Sequence, residues 1–284
     1  MKEKTGHFEG TGGLQLFYRT WLPDKSPKAV MVIIHGVGEH IGRYQNMVDG
    51  LVPAGFILTG YDQRGHGQSE GQRGHINSWS EFREDIDRFL QQAVKLADGR
   101  PVFLYGHSQG SLEVLDYILH DSQGLAGVII SGCALVPKGS IAPAHLVIMA
   151  KILSKIKPNI PIKVELNGSN LSRNPQVARA YDEDPLVHLQ RSVGWGAAGL
   201  KTIAWVKNHA GGIDLPILFL HGECDPLVDV EGARQFFGQI QYPDKTIHIY
   251  PGGLHEPHND TCYKQVVADM KSWMEKRLKP GKKG

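Results

Sequence analysis

Ser108 lies in the run Val102-Phe103-Leu104-Tyr105-Gly106-His107-Ser108-Gln109-Gly110, an apolar strand pattern ending in G-x-S-x-G. Helical spacing follows at once, with Leu112, Leu115, Ile118 and Leu119 recurring at three and four. A serine at so tight a strand-to-helix turn has its hydroxyl held out at the carboxyl end of a sheet, where it can attack a carbonyl. The turn leaves no room for side chains two positions before and after the serine, so Gly106 and Gly110 are demanded by sterics. The helix behind aims backbone N–H groups and a positive dipole end at the negative charge that attack creates. A glycine-rich structural turn could carry the same letters; the strand before and the helix after favour a nucleophile.

A serine hydroxyl is a weak nucleophile until a base takes its proton, and a near-neutral imidazole suits that task. With 14 histidines in the chain, position must choose among them. For a serine on such a turn the partners follow in the order carboxylate, then histidine. Ile217-Leu218-Phe219-Leu220 reads as a strand and leads to Asp225; Ile247-His248-Ile249-Tyr250 reads as the last strand and leads to His255. Both would lie past strand ends at the edge where Ser108 emerges, with Asp225 orienting the His255 ring. Glu223 is a weaker rival that reads as a surface carboxylate. His258 is the second choice for the base, and His248 sits within a strand. The oxyanion needs two N–H donors: Gln109, after the nucleophile, gives one, and Val37, in the loop His35-Gly36-Val37-Gly38 after an early strand, gives the other. His35 and His40 are spaced like metal ligands, but no cysteine or carboxylate cluster accompanies them, so loop packing is the expected role. Neither a metal nor an organic cofactor is expected.

The elements that must hold these groups alternate in an α/β pattern. Strands are expected at Leu14–Trp21, Val30–Ile34, Phe56–Tyr61, Val102–Tyr105, Gly127–Ile130, Pro216–Leu220 and Lys245–Tyr250. Most are continuous apolar runs, as in a largely parallel sheet covered on both faces; the first two strands have no helix between them, so that edge should be antiparallel. Trp79, Phe82, Ile86, Phe89, Leu90 and Ala93 predict a helix, with Ser78 and Glu81 as a capping box. Val266, Val267, Met270, Trp273 and Met274 predict another. Between about Ala134 and Asn208 the alternation stops. An amphipathic helix over Ile141–Ile156, a proline-rich break and a helix over Ser192–Val206 suggest a helical cap, 134–208, inserted in a core of 1–133 and 209–284.

The 284 residues suffice for such a core, with 41% hydrophobic and 21% charged side chains. A net charge of +2 argues against a nucleic-acid partner. Cys133, Cys224 and Cys262 form no disulfide or metal framework, and no leader or membrane-spanning run is visible, so a cytoplasmic protein is expected. The basic tail, Lys279–Gly284, reads as a solvated terminus.

The motifs together resemble the monoacylglycerol lipase and lysophospholipase group of α/β-hydrolases, over roughly Phe8 to Arg277. The resemblance rests on His35-Gly36-Val37-Gly38-Glu39-His40 with Arg43-Tyr44, on Asp62-Gln63-Arg64-Gly65-His66-Gly67-Gln68-Ser69-Glu70-Gly71, and on Gly106–Gly110. It continues in Ser172-Arg173-Asn174-Pro175, Asp184-Pro185-Leu186, Asp225 and His255. It implies an α/β-hydrolase fold with a mostly parallel central sheet flanked by helices and a helical cap insertion. It implies Ser108, Asp225 and His255 as triad, Val37 and Gln109 as oxyanion hole, and Glu39, Arg43 and His107 near the polar head of a small lipid ester. Two positions depart from the family pattern, Gln109 for Met and Ser111 for Gly. The cap residues Leu146, Val147, Ile148, Met149, Ile152 and Leu153, beside Lys151, Lys155 and Lys157, could line an acyl tunnel and touch a lipid surface, or merely pack the cap. A proline-aminopeptidase-like peptidase would need cap carboxylates, for which Glu165, Asp182, Glu183 and Asp184 are candidates. A short-chain carboxylesterase is the blander enzyme. A dehalogenase would need Asp at position 108, and a receptor with a vestigial triad would lack one of the three groups.

Overall fold

Three consecutive apolar strands set the centre of the sheet: β3 (Ala29–Ile34), β4 (Phe56–Tyr61) and β5 (Val102–His107), with every residue buried. Period-two alternation divides β3 between two cores. Val30, Val32 and Ile34 face α2 (Ser80–Ala97) and α3 (Gln109–Ile118), while Met31 and Ile33 face α1 (Gln45–Leu51) and the last helix (Tyr263–Glu275). The computed structural model describes residues 1–138, 155–163 and 166–278. Its main sheet has eight strands in the order β1-β2-β4-β3-β5-β6-β9-β10. The others are β1 (Lys2–Glu9), β2 (Gln15–Leu22), β6 (Leu125–Ser131), β9 (Ile217–Gly222) and β10 (Lys245–Tyr250). The β1–β2 and β2–β4 pairings are antiparallel and the rest parallel. This is the fold expected from the sequence, with the antiparallel edge at the N-terminal end.

Two expectations need amending. The first residues form an edge strand, β1, which went unread because only Phe8 of it is buried and no apolar run marks it. The capping box of α2 is only half made. Glu81 reaches back to Asn77 N–H at 2.9 Å, but the Ser78 hydroxyl pairs with Ser80 Oγ at 2.7 Å rather than with the helix backbone.

The segment between β6 and β9 contains an antiparallel pair, β7 (Pro161–Lys163) and β8 (Gln190–Ser192), then α4 (Pro175–Asp182) and α5 (Val193–Asn208). Asn174 and Ser192 cap α4 and α5 by accepting from Gln176 and Trp195 N–H. Most of the helix expected at Ile141–Ile156, including Leu146, Val147, Ile148, Met149, Lys151, Ile152 and Leu153, lies outside the described residues, as does Glu165. The motifs that carried the resemblance are the rivets of this segment. Arg173 pairs with the buried Asp260 at 2.9 Å, and the Ser172 hydroxyl donates to the Asn259 carbonyl at 3.0 Å. Asp184 meets His40 at 2.9 Å, and His188 N–H donates to the Gly38 carbonyl at 2.9 Å. This segment is thereby fastened to the loops after β3 and β10, where the candidate chemistry sits.

Two more helices complete the core, α6 (Val230–Gln239) after β9 and α7 (Tyr263–Glu275) after β10.

Candidate active site

Ser108 caps α3 at φ 52°, ψ −117°, a left-handed conformation costly for any residue with a side chain. The glycines around it are explained by contact. A Cβ on Gly106 would collide with the Gly110 carbonyl, and one on Gly110 with the carbonyls of Ile34 and His35. Ser111 has a definite role. Its hydroxyl donates to the Ser108 carbonyl at 2.5 Å and accepts from Ala134 N–H at 3.0 Å, tying the nucleophile turn to the loop after β6.

The structure brings Ser108, His255 and Asp225 together. The Ser108 hydroxyl donates to His255 Nε2 at 2.8 Å, and His255 Nδ1–H donates to Asp225 Oδ2 at 2.7 Å. The carboxylate, an acceptor only, sets this tautomer. The second oxygen of Asp225 accepts from Leu227 and Val228 N–H at 2.8 and 3.0 Å. His221 also stands 3.2 Å from Oδ2, without the alignment of a hydrogen bond. Burial opposes the charge on Asp225, but the His255 and His221 rings beside it hold its carboxyl far below the usual range. The rivals are elsewhere: Glu223 is exposed, and His258 is buried against Tyr44 with its Nδ1 3.2 Å from the Tyr105 hydroxyl. Burial takes His258 down to about 4, so it is neutral at physiological pH. His35 and His40 are loop-packing groups. His35 Nε2 accepts from Gln63 N–H at 2.9 Å and His40 pairs with Asp184.

Val37, Gln109, Glu39, Arg43 and His107 all line one cavity of about 550 Å³ with Ser108 and His255. Gln109 opens α3, so its N–H is among the helix's unpaired donors. Glu39 is buried and accepts from Gly36 N–H at 2.6 Å, Tyr44 O–H at 2.9 Å and Arg43 at 2.8 Å. Arg43 makes a two-pronged pair with Glu256, at 2.7 and 2.9 Å, and lies over the Tyr181 ring at 4.6 Å. Burial opposes ionisation of Glu256, but Arg43 holds it down to about 2; burial raises Glu39. Glu256 and Tyr181 were not singled out from sequence. Glu256 adjoins His255, yet nothing local says that it meets an arginine so far away. Possible ligand atoms of Glu39, His107 and Glu256 lie within 4.8 Å of one another. Arg43 already bridges both carboxylates and supplies the positive charge a metal would bring.

The side chain of Gln109 turns away from the nucleophile. Its Nε2 donates to Glu113 at 2.5 Å and to Gln63 at 3.2 Å, all buried. Burial keeps the Glu113 carboxyl well above the ordinary range. The folded protein therefore binds this proton where the unfolded chain has lost it, so Glu113's contribution to stability is complete below the ordinary carboxylate pKa and falls as pH rises. Glu113→Gln is expected to raise the melting temperature at pH 8 by about 2–4 °C, with a smaller gain at pH 5, measured by scanning calorimetry. An equal shift at both pH values would show that ionisation is not the cause.

Residues 25–262 match the family model described as serine aminopeptidase, S33. The chain is 34% identical over 274 residues to a monoacylglycerol lipase of Mycolicibacterium smegmatis, covering 95% of this chain and 96% of that one. It is 30% identical to the monoglyceride lipase of Homo sapiens over 95% and 90% of the two chains. The crystal structure of a Paleococcus ferrophilus monoacylglycerol lipase superposes with a TM-score of 0.81 at 32% identity, covering 98% of this chain and all of that one.

Proposed function

Because the chain belongs to the serine aminopeptidase S33 family of α/β-hydrolases, we propose that it is a serine carboxylic ester hydrolase that cleaves monoacylglycerols to a fatty acid and glycerol. The observation that carries this reading is the continuous relay from Ser108 through His255 to Asp225, at 2.8 and 2.7 Å, inside a cavity that combines apolar walls with a charged cluster. Trp79, Leu112, Trp195 and Ile203 supply apolar surface for an acyl chain; Glu39, Arg43 and His107 supply polar groups for glycerol. The relatives named monoacylglycerol and monoglyceride lipase support the same substrate.

Ser108 Oγ attacks the ester carbonyl as its proton passes to His255 Nε2. The N–H groups of Val37 and Gln109 hold the oxyanion. His255 then protonates the departing glycerol oxygen as the C–O bond breaks, leaving an acyl-enzyme. A water gives its proton to His255, attacks the acyl carbon and frees the fatty acid, returning the proton to Ser108. Asp225 steadies the imidazolium throughout.

A peptidase that grips a substrate ammonium is disfavoured. Among the described residues the cavity carboxylates are Glu39 and Glu256, both engaged by Arg43, while Asp182 and Glu183 are exposed and Asp184 pairs with His40. The insertion 134–208 serves as the cap, and contact with a lipid surface fits its exterior. Ile156 is 69% exposed between the exposed Lys155 and Lys157, and Ile162 and Leu200, which line the cavity, are about half exposed. Among the described residues no helix is long and apolar enough to cross a membrane.

The test is steady-state hydrolysis of a monoacylglycerol series, from short to long chains, beside matched triacylglycerols and an aminoacyl-proline amide. Preference for monoacylglycerols with medium or long chains is expected. Activity on short esters alone would make the protein a generic carboxylesterase, and cleavage of the amide alone would make it a peptidase. Ile156→Asp is expected to slow hydrolysis of vesicle-borne monoacylglycerol about threefold or more, relative to a soluble short ester; equal rates would remove the cap from the membrane contact.

A further inference from the structure

Val37 and Gln109 reach the oxyanion from different strands. Val37 lies in the loop after β3 and Gln109 follows β5, and the pairing of these strands ends at Ile34 and Gly106, short of both donors. An oxyanion hole works when its N–H groups sit about 2.7–3.1 Å from one point, so the two segments must stay in register beyond the sheet. A strap of hydrogen bonds runs between them through Gln63, which stands just past β4, the neighbour of β3. Gln63 Nε2 donates to the His35 carbonyl at 2.6 Å, and its backbone N–H donates to His35 Nε2 at 2.9 Å. His35 Nδ1–H in turn donates to the Gly36 carbonyl at 2.7 Å, next to Val37. On the other side, Gln63 Oε1 accepts from Gln109 Nε2 at 3.2 Å. Glu113, one turn along α3, accepts from the same Nε2 at 2.5 Å and fixes that side chain. His35, Gln63, Gln109 and Glu113 are all buried.

Stability is a poor reason for this strap. Gln109 Oε1 and Glu113 Oε2 are buried without a hydrogen-bond partner among the described residues. Such atoms cost stability that apolar groups of the same shape would not. What the strap contributes is geometry, because it ends on the two segments that carry the oxyanion donors. From this juxtaposition we propose that Gln63 is a positioning residue for the oxyanion hole, holding the N–H groups of Val37 and Gln109 in register through His35 on one side and the Gln109 side chain on the other. This rests on the reading of Ser108 as the nucleophile and of Val37 and Gln109 as donors. Gln109 then serves twice, its backbone facing the oxyanion and its side chain anchoring the turn that bears it.

The test cuts the strap while leaving every backbone donor in place. Gln63→Met and Gln109→Met each break it, whereas Glu113→Gln keeps an acceptor for Gln109. Turnover of lauroylglycerol is measured beside the adduct of a dodecyl trifluoromethyl ketone labelled with carbon-13 at its carbonyl. In that adduct Ser108 Oγ bonds to the ketone carbon, the carbonyl oxygen takes the electron pair, the Ser108 proton passes to His255, and nothing leaves. The carbon shift then reports the pH at which the adduct oxygen ionises. Each cut is expected to lower kcat about tenfold with KM little changed, short of the 10²–10³-fold cost of losing a donor outright. The ionisation midpoint of the adduct should rise by about one pH unit, the same tenfold loss of oxyanion stabilisation. Glu113→Gln should stay near wild type in both. Thermal melts check folding, and if Gln63→Met does not fold, Gln109→Met decides. An unmoved midpoint in the folded variants overturns the proposal, including where kcat falls only in step with stability. Failure of wild type to form the adduct overturns it together with the role of Ser108. If the midpoint moves as expected while wild type hydrolyses no monoacylglycerol, the strap stands and the substrate reading fails.

Discussion

Ser108→Ala is expected to lower kcat on a monoacylglycerol by about 10⁶-fold, the scale seen when a serine nucleophile is deleted from a triad enzyme. The remaining rate should still exceed that in water by about 10³–10⁴-fold, because the donors at Val37 and Gln109 and the cavity are untouched. Ser108→Gly is expected to be equally inactive but more stable than Ser108→Ala. At φ 52°, ψ −117° both serine and alanine carry a strained backbone, and glycine does not. The gain should be about 1–2 kcal/mol, measured by denaturant unfolding of the two variants side by side. Near-wild-type turnover in a folded Ser108→Ala protein would remove Ser108 from the chemistry.

Asp225→Asn is expected to lower kcat/KM by about 10⁴-fold and to move the acid limb of its pH profile. Burial alone would depress the His255 imidazolium. The Asp225 carboxylate, 2.7 Å away, outweighs burial through its charge and hydrogen bond, so His255 stands above the usual histidine value. The base must be neutral to accept the Ser108 proton. Activity should therefore rise with pH, with the midpoint of the limb above about 6.5 in wild type. With Asn at position 225 burial is left without its counterweight, so the residual activity should reach its plateau at lower pH. His255→Ala should cost orders of magnitude more than His258→Ala, since His258 touches Tyr44 and Tyr105 rather than the nucleophile. A wild-type limb centred below the usual histidine value would contradict the electrostatic account, and a larger loss from His258→Ala would move the base there.

The nucleophile turn was legible because several constraints coincide in a short run: an apolar strand, two obligatory glycines and a helix start. Asp225 and His255 were legible through placement past strand ends, which the parallel sheet turns into proximity. Pairings that form across the fold were not. Arg43 and Glu256 are 213 residues apart, and neither flank hints at the other. The Gln109–Glu113 pair has helical spacing, but a glutamate on an apolar stripe gives no sign that it is buried beside an amide. The Ser78–Glu81 motif misled, because Ser80 competes for the Ser78 hydroxyl.

The relay joins parts of the sheet that differ in how deeply they are held. Ser108 follows β5, buried along its whole length, whereas His255 hangs from the loop after β10, an edge strand, whose residues are half-buried except Tyr250. Edge segments with fewer buried contacts open at lower free energy than the centre. On warming, the amides of β10 should exchange with solvent well before those of β3 and β5. The serine would then lose its base while the sheet's interior is still closed, and cooling would restore the pair. Heat would thus silence the protein reversibly before it melts, a loss of function led from the rim of the sheet rather than from its middle.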